Sequence, residues 1–386
     1  MSTTFLFILT IMQWEGNPNV EKAVGSLKDK GFTVKGKPVS YVGIAENFGL
    51  EDSDLAALKD IPTIRQLRLI YTPKITGAGL KYVRGLKELE EISLYGNKLI
   101  DDVGMGYLAH LRKLEFLDLA NTGVGDDGAE ALASIGALRW LSLTGTRITN
   151  RAMKEVAKLK NLEVLYLGGT QTDDTGLKQL HKMHRLRVLW PSEKISDLGV
   201  ESLSNLENLE ELELGETKVT DKGLQALQKL KNLRKLGLLR TAVDGPGLKN
   251  LRGLKQLNWL NLAETRVSDD ALRHLRAFPE LRTLDLRGTK ISDVGLEHIA
   301  VSKKLEYLNL NAVRKITDSG VKKLTGLVHL RELNLTATGV SNAGLKYLLK
   351  LPHLEELLLY DTPVTKAGVE ELRKAMPKLR IGWSGN

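Results

Sequence analysis

The residues best able to do chemistry in this 386-residue chain are scattered rather than clustered. Seven histidines (His110, His181, His184, His274, His298, His329 and His353) are spread over several stretches of the sequence. Only His181 and His184 are spaced to share a helix face, and no third ligand stands beside them, so a solvated helix face explains the pair without a metal. Cysteine is absent, which excludes disulfides and thiolate metal sites. Aspartates recur ahead of short apolar runs, as at Asp174, Asp221 and Asp293. Helix capping and the helix dipole account for them without calcium. No glycine-rich phosphate loop occurs; the recurrent glycine before leucine reads as room for a close neighbour. The expectation is therefore no catalytic residue, no metal and no cofactor.

Aromatic side chains are the more informative chemistry. Only 5% of the chain is Phe, Trp or Tyr, yet Phe116, Trp140, Tyr166 and Trp190 recur at nearly regular spacing. Val164 and Val188 lie beside them, and Trp259 and Tyr307 continue the series more sparsely.

A repeat positions these rings. In Leu209–Asn232, LEELELGETKVTDKGLQALQKLKN, Leu209, Leu212 and Leu214 form a period-two strand pattern. Thr217 and Val219 follow, then Thr220-Asp221 as a helix N-cap pair, then Leu224, Leu227 and Leu230 at helical spacing. Thirteen such units open at Ile64, Leu89, Leu114, Leu138, Leu162, Leu186, Leu209, Leu233, Leu257, Leu281, Leu305, Leu330 and Leu354. Most intervals are 24 residues; four are 25, and the one from Leu186 is 23. Leu379 begins a partial fourteenth unit, LRIGW.

A strand and a short helix per period predict an α/β stack with a parallel inner sheet and outer helices. Parallel strands sit ~4.8 Å apart while helices need about 10 Å, so the stack should curve with its strands innermost. Residues 1–38 read as an N-terminal cap, residues 39–378 as the repeats and residues 379–386 as a closing segment. In the cap, Asn19 is placed to start a helix carrying Val20, Ala23, Val24 and Leu27, with Gly31 ending it. Phe32-Thr33-Val34 and Val39–Ile44 follow as strands. The apolar stretch Thr3–Met12 lacks a basic leader and a small-residue cleavage site and is too short to span a membrane. It reads as a packing segment, with a degenerate signal peptide as the other reading. Together with the missing cysteines this leans toward the cytoplasm, and nothing calls for more than a monomer.

The helix starts Val219-Thr220-Asp221-Lys222-Gly223-Leu224, Ile291–Leu296 and Ile316–Val321 share the form [IV]-[TS]-D-x-G-[LV]. In this the chain resembles the leucine-rich-repeat family, specifically the repeats of bacterial leucine-rich-repeat proteins and of F-box substrate receptors. The resemblance covers about residues 39–383. It implies a leucine-rich-repeat solenoid that binds another protein and is not an enzyme. The chain departs from the family at the turn, where the usual Asn is Thr at Thr72, Thr122, Thr146, Thr170, Thr217, Thr241, Thr265, Thr289, Thr338 and Thr362. Asn97 keeps the family residue. No F-box-like helical module precedes the repeats.

Net charge is +9, which raises nucleic acid as a ligand. The inner-face positions, however, hold ten basic and sixteen acidic residues. The positive excess lies on the helices, among them Lys178, Lys182, Arg185, Lys249, Arg252, Lys255, Arg273, Arg276, Lys322 and Lys323. Specific nucleic-acid binding is therefore not expected. Phe116 and Trp140 fall at one strand position of adjacent units, about 5 Å apart. Tyr166 and Trp190 form a second pair further along. These rings either bind a protein partner or cover one another. Pro191 stands where the third strand leucine of its 23-residue unit belongs, and Glu193-Lys194 replaces the turn Thr. The reading favoured is a protein partner of unknown identity held on the concave face by Phe116, Trp140, Tyr166, Trp190, Val164, Val188, Trp259 and Tyr307. The alternative is nucleic acid or an anionic membrane surface bound by the basic helices.

Overall fold

The computed structural model describes residues 17–385, so the segment Thr3–Met12 lies outside it. Two compact halves are present. One runs to Leu186 and takes in Trp190–Ser192; the other comprises Arg187–Leu189 and the chain from Glu193 onward.

The first half opens with helix α1, Pro18–Asp29. Asn17 caps it, its side chain accepting from the Asn19 amide at 3.0 Å. This corrects the placement of the cap at Asn19. Pro18, lacking an N–H, suits the first helical position and draws the start two residues upstream. Ala23 and Leu27 are buried, and Gly31 ends the helix at φ 90°. Strand β1, Thr33–Lys35, pairs antiparallel with β2, Tyr41–Ala45. From β2 onward the strands are parallel and in chain order: β3 (Gln66–Ile70), β4 (Glu91–Ser93), β5 (Phe116–Asp118), β6 (Trp140–Ser142) and β7 (Val164–Tyr166).

Strand β8, Val188–Trp190, follows; its Val188 and Leu189 pair parallel with β9, Glu211–Glu213, in the second half. There β10 (Lys235–Gly237), β11 (Trp259–Asn261), β12 (Thr283–Asp285), β13 (Tyr307–Asn309), β14 (Glu332–Asn334), β15 (Glu356–Leu358) and β16 (Arg380–Gly382) continue the parallel order. The partial last unit thus supplies a paired strand, and Trp383 Nε1 donates to the Val364 carbonyl at 3.0 Å.

The strand leucines of the repeat pack against the helix leucines in a buried core. Leu209, Leu212, Leu214, Leu224, Leu227 and Leu230 are all 0% exposed. The helical segments are of two kinds, α as in Asn150–Val156 and 3-10 as in Gly223–Lys229. Among the described residues no helix is long and apolar enough to cross a membrane.

Polar side chains tie unit to unit. Asp197 accepts from the Thr220 amide at 2.8 Å, the Thr220 hydroxyl at 2.7 Å and the Gly223 amide at 3.0 Å, all in the next unit. Asp126, Asp269 and Asp318 reach Thr149, Ser292 and Ser341 in the same way. The recurrent aspartate therefore anchors the following helix start rather than its own. Glycine follows from this geometry: a Cβ on Gly223 would lie 2.6 Å from Asp197 Oδ1. Most buried turn threonines bond inside their own unit, whereas Thr72 donates its amide and hydroxyl to Asn97 Oδ1 of the next. Thr146 Oγ1 donates to the Leu143 carbonyl at 2.6 Å and Thr217 Oγ1 to Leu214 at 2.6 Å. Asn97 instead reaches back, its Nδ2 donating to the Leu69 carbonyl at 2.7 Å.

Candidate functional site

Strand side chains that point away from the leucines form the exposed sheet face. In the first half, four aromatic rings there make one continuous run. Phe116 and Trp140 share a register position and stack, with centroids 3.9 Å apart and planes 14° apart. Trp140 meets Tyr166 edge to face at 5.3 Å, and Tyr166 meets Trp190 at 5.0 Å. The spacing in sequence suggested two separate pairs. The structure joins them because Tyr166 lies in register with Ser142, whose small buried side chain leaves the diagonal from Trp140 open. Phe116, Trp140 and Tyr166 are half-buried by this contact, whereas Trp190 is 41% exposed. Val164 is half-buried in register with Trp140.

The 23-residue unit departs from the sequence expectation at its turn. Pro191 is buried in the place of the missing leucine. Ser192, fully buried, donates its hydroxyl to the Thr172 carbonyl. Ser192, rather than the exposed Glu193 and Lys194, is thus the buried polar residue at this turn.

Charges on the sheet face are largely paired across strands. Within each half, Arg and Glu recur at the residue before the strand position that Phe116 and Trp140 hold. Arg139 bonds Glu163 at 2.7 Å, Arg187 bonds Glu210 at 2.9 Å and Arg331 bonds Glu355 at 2.6 Å. Arg65 bonds Glu90 and Arg282 bonds Glu306 in the same manner. The Arg187 guanidinium holds Glu210 below the usual carboxylate range. Exposed pairs of this kind are worth only ~0–1 kcal/mol each, so they order the surface more than they stabilise it. They also engage most of the arginines, leaving the face acidic: Glu115 and Glu332 are exposed and make no ion pair among the described residues. Burial pushes Asp118, Glu213 and Asp285 above the ordinary carboxylate range. This row escaped the sequence reading, although Arg and Glu alternate at repeat spacing at Arg139, Glu163, Arg187, Glu210 and Arg234.

In the second half Trp259 and Tyr307 stand two strands apart at one register position, with Thr283 between them. They belong to a separate cavity rather than to the four-ring run. The histidines do not assemble into a site: His329 and His353 are parallel at 6.4 Å, and no group of three His, Asp or Glu fit to hold a metal occurs among the described residues.

The pattern of leucines and turns matches a family model described as "Leucine-rich repeat region" over residues 103–245 and one described as "Leucine Rich repeat" over residues 280–300 and 326–349. This is a leucine-rich-repeat protein. A solved leucine-rich-repeat protein of Leptospira interrogans is similar to it at 22% identity, covering 88% of each chain with a TM-score of 0.62. An internalin (inlF) from Listeria monocytogenes is similar at 21% identity, covering 82% of this chain and 91% of its own, with a TM-score of 0.51. At these identities the likeness speaks for the leucine-rich-repeat fold alone. No curated protein matches the chain in sequence.

Proposed function

We propose that this leucine-rich-repeat protein is a non-enzymatic module that binds another protein through its exposed sheet face. Phe116, Trp140, Tyr166 and Trp190 are its main contact, with Val164 and Val188 at the side. The observation that carries this reading is the unbroken run of four rings on the face opposite the leucine core, ending on a tryptophan that is 41% exposed. Aromatic clusters outside a core favour protein contact because each ring adds area with few torsions to freeze. The leucine-rich-repeat fold supports the same role, since it offers a long ordered face and no enclosed reaction chamber.

The test is capture of partners from the host lysate by the wild type beside Trp190→Ala and Trp140→Ala, followed by titration of whatever protein the wild type retains. Truncating such an anchor weakens binding by ~2–4 kcal/mol, a ~30–1,000-fold loss. Retention should persist in moderate salt, because ring contacts do not depend on counterion release. Undiminished capture by the double variant would refute the assignment.

A further inference from the structure

The second half carries an open cavity of about 510 Å³ on its sheet face, separate from the ring run. Trp259, Thr283 and Tyr307 occupy one register position on β11, β12 and β13. Two strand spacings put the backbones of the two aromatic residues about 10 Å apart. A small threonine between them keeps the space open.

The remaining lining is acidic, with four carboxylates against one guanidinium. Two of the carboxylates are already engaged: Glu306 bonds Arg282, and Glu355 bonds Arg331 at 2.6 Å. The other two are not. Asp285 accepts from the Arg287 amide at 2.9 Å and from Asn309 Nδ2 at 3.2 Å, yet makes no salt bridge among the described residues. Glu332 is exposed and likewise makes none. Arg287 pairs with Glu264 at 2.9 Å rather than with Asp285. Burial, then the charges of Asp285 and Glu332, push the Tyr307 phenol above its ordinary value, with Arg287 and Asn309 opposing them only in part.

We propose that this slot receives an arginine side chain of the protein partner, its guanidinium between Trp259 and Tyr307 and bonded to Asp285 and Glu332. Arginine suits the slot better than lysine. Its planar group stacks on aromatic faces, sheds water more readily than an ammonium and offers several donors to two carboxylates at once. A carboxylate ligand would face the charges of Asp285 and Glu332, and a metal ion would find no converging trio of ligands among the described residues. The inference rests on the proposed protein-binding role for the source of the arginine, but its contact is independent of Trp140 and Trp190.

The experiment uses the full chain and three fluorescein-labelled peptides: Gly-Arg-Gly-Arg-Gly, the same peptide with lysine, and the same peptide with citrulline, which keeps arginine's shape without its charge. Binding is read by fluorescence anisotropy up to about 1 mM chain, the range expected for a single-site contact. The arginine peptide should bind more tightly than the lysine peptide, and about tenfold more tightly than the citrulline one. Asp285→Asn with Glu332→Gln should weaken the arginine peptide about five- to tenfold. Glu370→Gln with Glu371→Gln, an equal charge change on an exposed helix face, should leave it unchanged. Trp259→Ala should weaken both cationic peptides, while Trp140→Ala should affect neither. No binding of the arginine peptide, equal binding of the citrulline peptide, or equal loss in the Glu370/Glu371 control would overturn the proposal. Loss of partner capture only in Trp140→Ala and Trp190→Ala, with the peptide results absent, would refute the slot and leave the ring contact standing.

Discussion

Two glycines of this chain should respond to alanine with opposite signs. Gly247 is the second residue of the helical segment Pro246–Gly253 and lies against Asp221 of the preceding unit. A Cβ there would lie 2.6 Å from Asp221 Oδ1, 2.7 Å from its carbonyl oxygen and 2.8 Å from its Cα. The last two atoms are backbone and cannot swing away. Asp221 also accepts from the amides of Asp244 at 3.0 Å, Gly245 at 3.1 Å and Gly247 at 2.6 Å, so any shift that relieves the overlap loosens three bonds. Overpacking of this kind costs ~1–3 kcal/mol, and weakened part-buried bonds to a carboxylate add roughly 1–2. Against this, alanine gains at most ~1 kcal/mol of helix propensity. Gly247→Ala should therefore lose about 1–4 kcal/mol. Gly25 lies within α1 with nothing within 4 Å of its Cβ position, so Gly25→Ala collects only the propensity gain, about 0.5–1 kcal/mol. Urea unfolding followed by circular dichroism compares the two. Because a repeat chain need not unfold in one step, hydrogen exchange at the Gly245 and Gly247 amides supplies the local reading. A Gly247→Ala protein as stable as the wild type, with those amides equally protected, would refute the reasoning.

Other substitutions separate core from surface. Leu141→Ala, at 0% exposure, should lose about 2–5 kcal/mol in the same urea titration, whereas Trp140→Ala should lose about 1–3 from its two ring contacts. A larger loss for Trp140 than for Leu141 would make the rings structural first. Thr146→Val should cost about 1 kcal/mol by leaving the Leu143 carbonyl without its hydroxyl donor, and a neutral result would discount the threonine column. The pH response should have two parts. Burial raises the carboxyl of Asp126, but bonds from Thr149 and Arg151 outweigh it and hold the group low; the Thr175 amide chiefly does so for Asp173. Their stabilisation is present above the unfolded pKa of ~3.9 and is lost as pH falls further, through the lower folded values. Asp285 is raised by burial, so the folded state takes its proton first and stability gains as pH falls from neutral toward about 4. Asp285→Asn should flatten that gain; an unchanged slope between about pH 4 and 7 in urea midpoints would contradict the burial argument.

The leucine period alone determined the architecture of this protein. Strand leucines at Leu209, Leu212 and Leu214 and helix leucines at Leu224, Leu227 and Leu230 have one arrangement that buries them all, and the structure adopts it. The candidate rings were legible for the same reason, since period two sends Phe116 and Trp140 to the face opposite the core. What lies sideways, between units, was decided only in three dimensions. Asp221 looks like a cap for its own helix, yet it bonds the amides of Asp244 and Gly247, which stacking brings to it from the next unit. Ser142 says nothing in sequence about Trp140 and Tyr166, but its small volume lets two pairs of rings become one run. The Arg–Glu row and the slot between Trp259 and Tyr307 arise from residues a whole repeat apart. The physical reason is one of range. Burial of leucines is set by the local pattern of each unit, whereas hydrogen bonds, ring contacts and ion pairs depend on which side chain the neighbouring unit presents within a few ångströms.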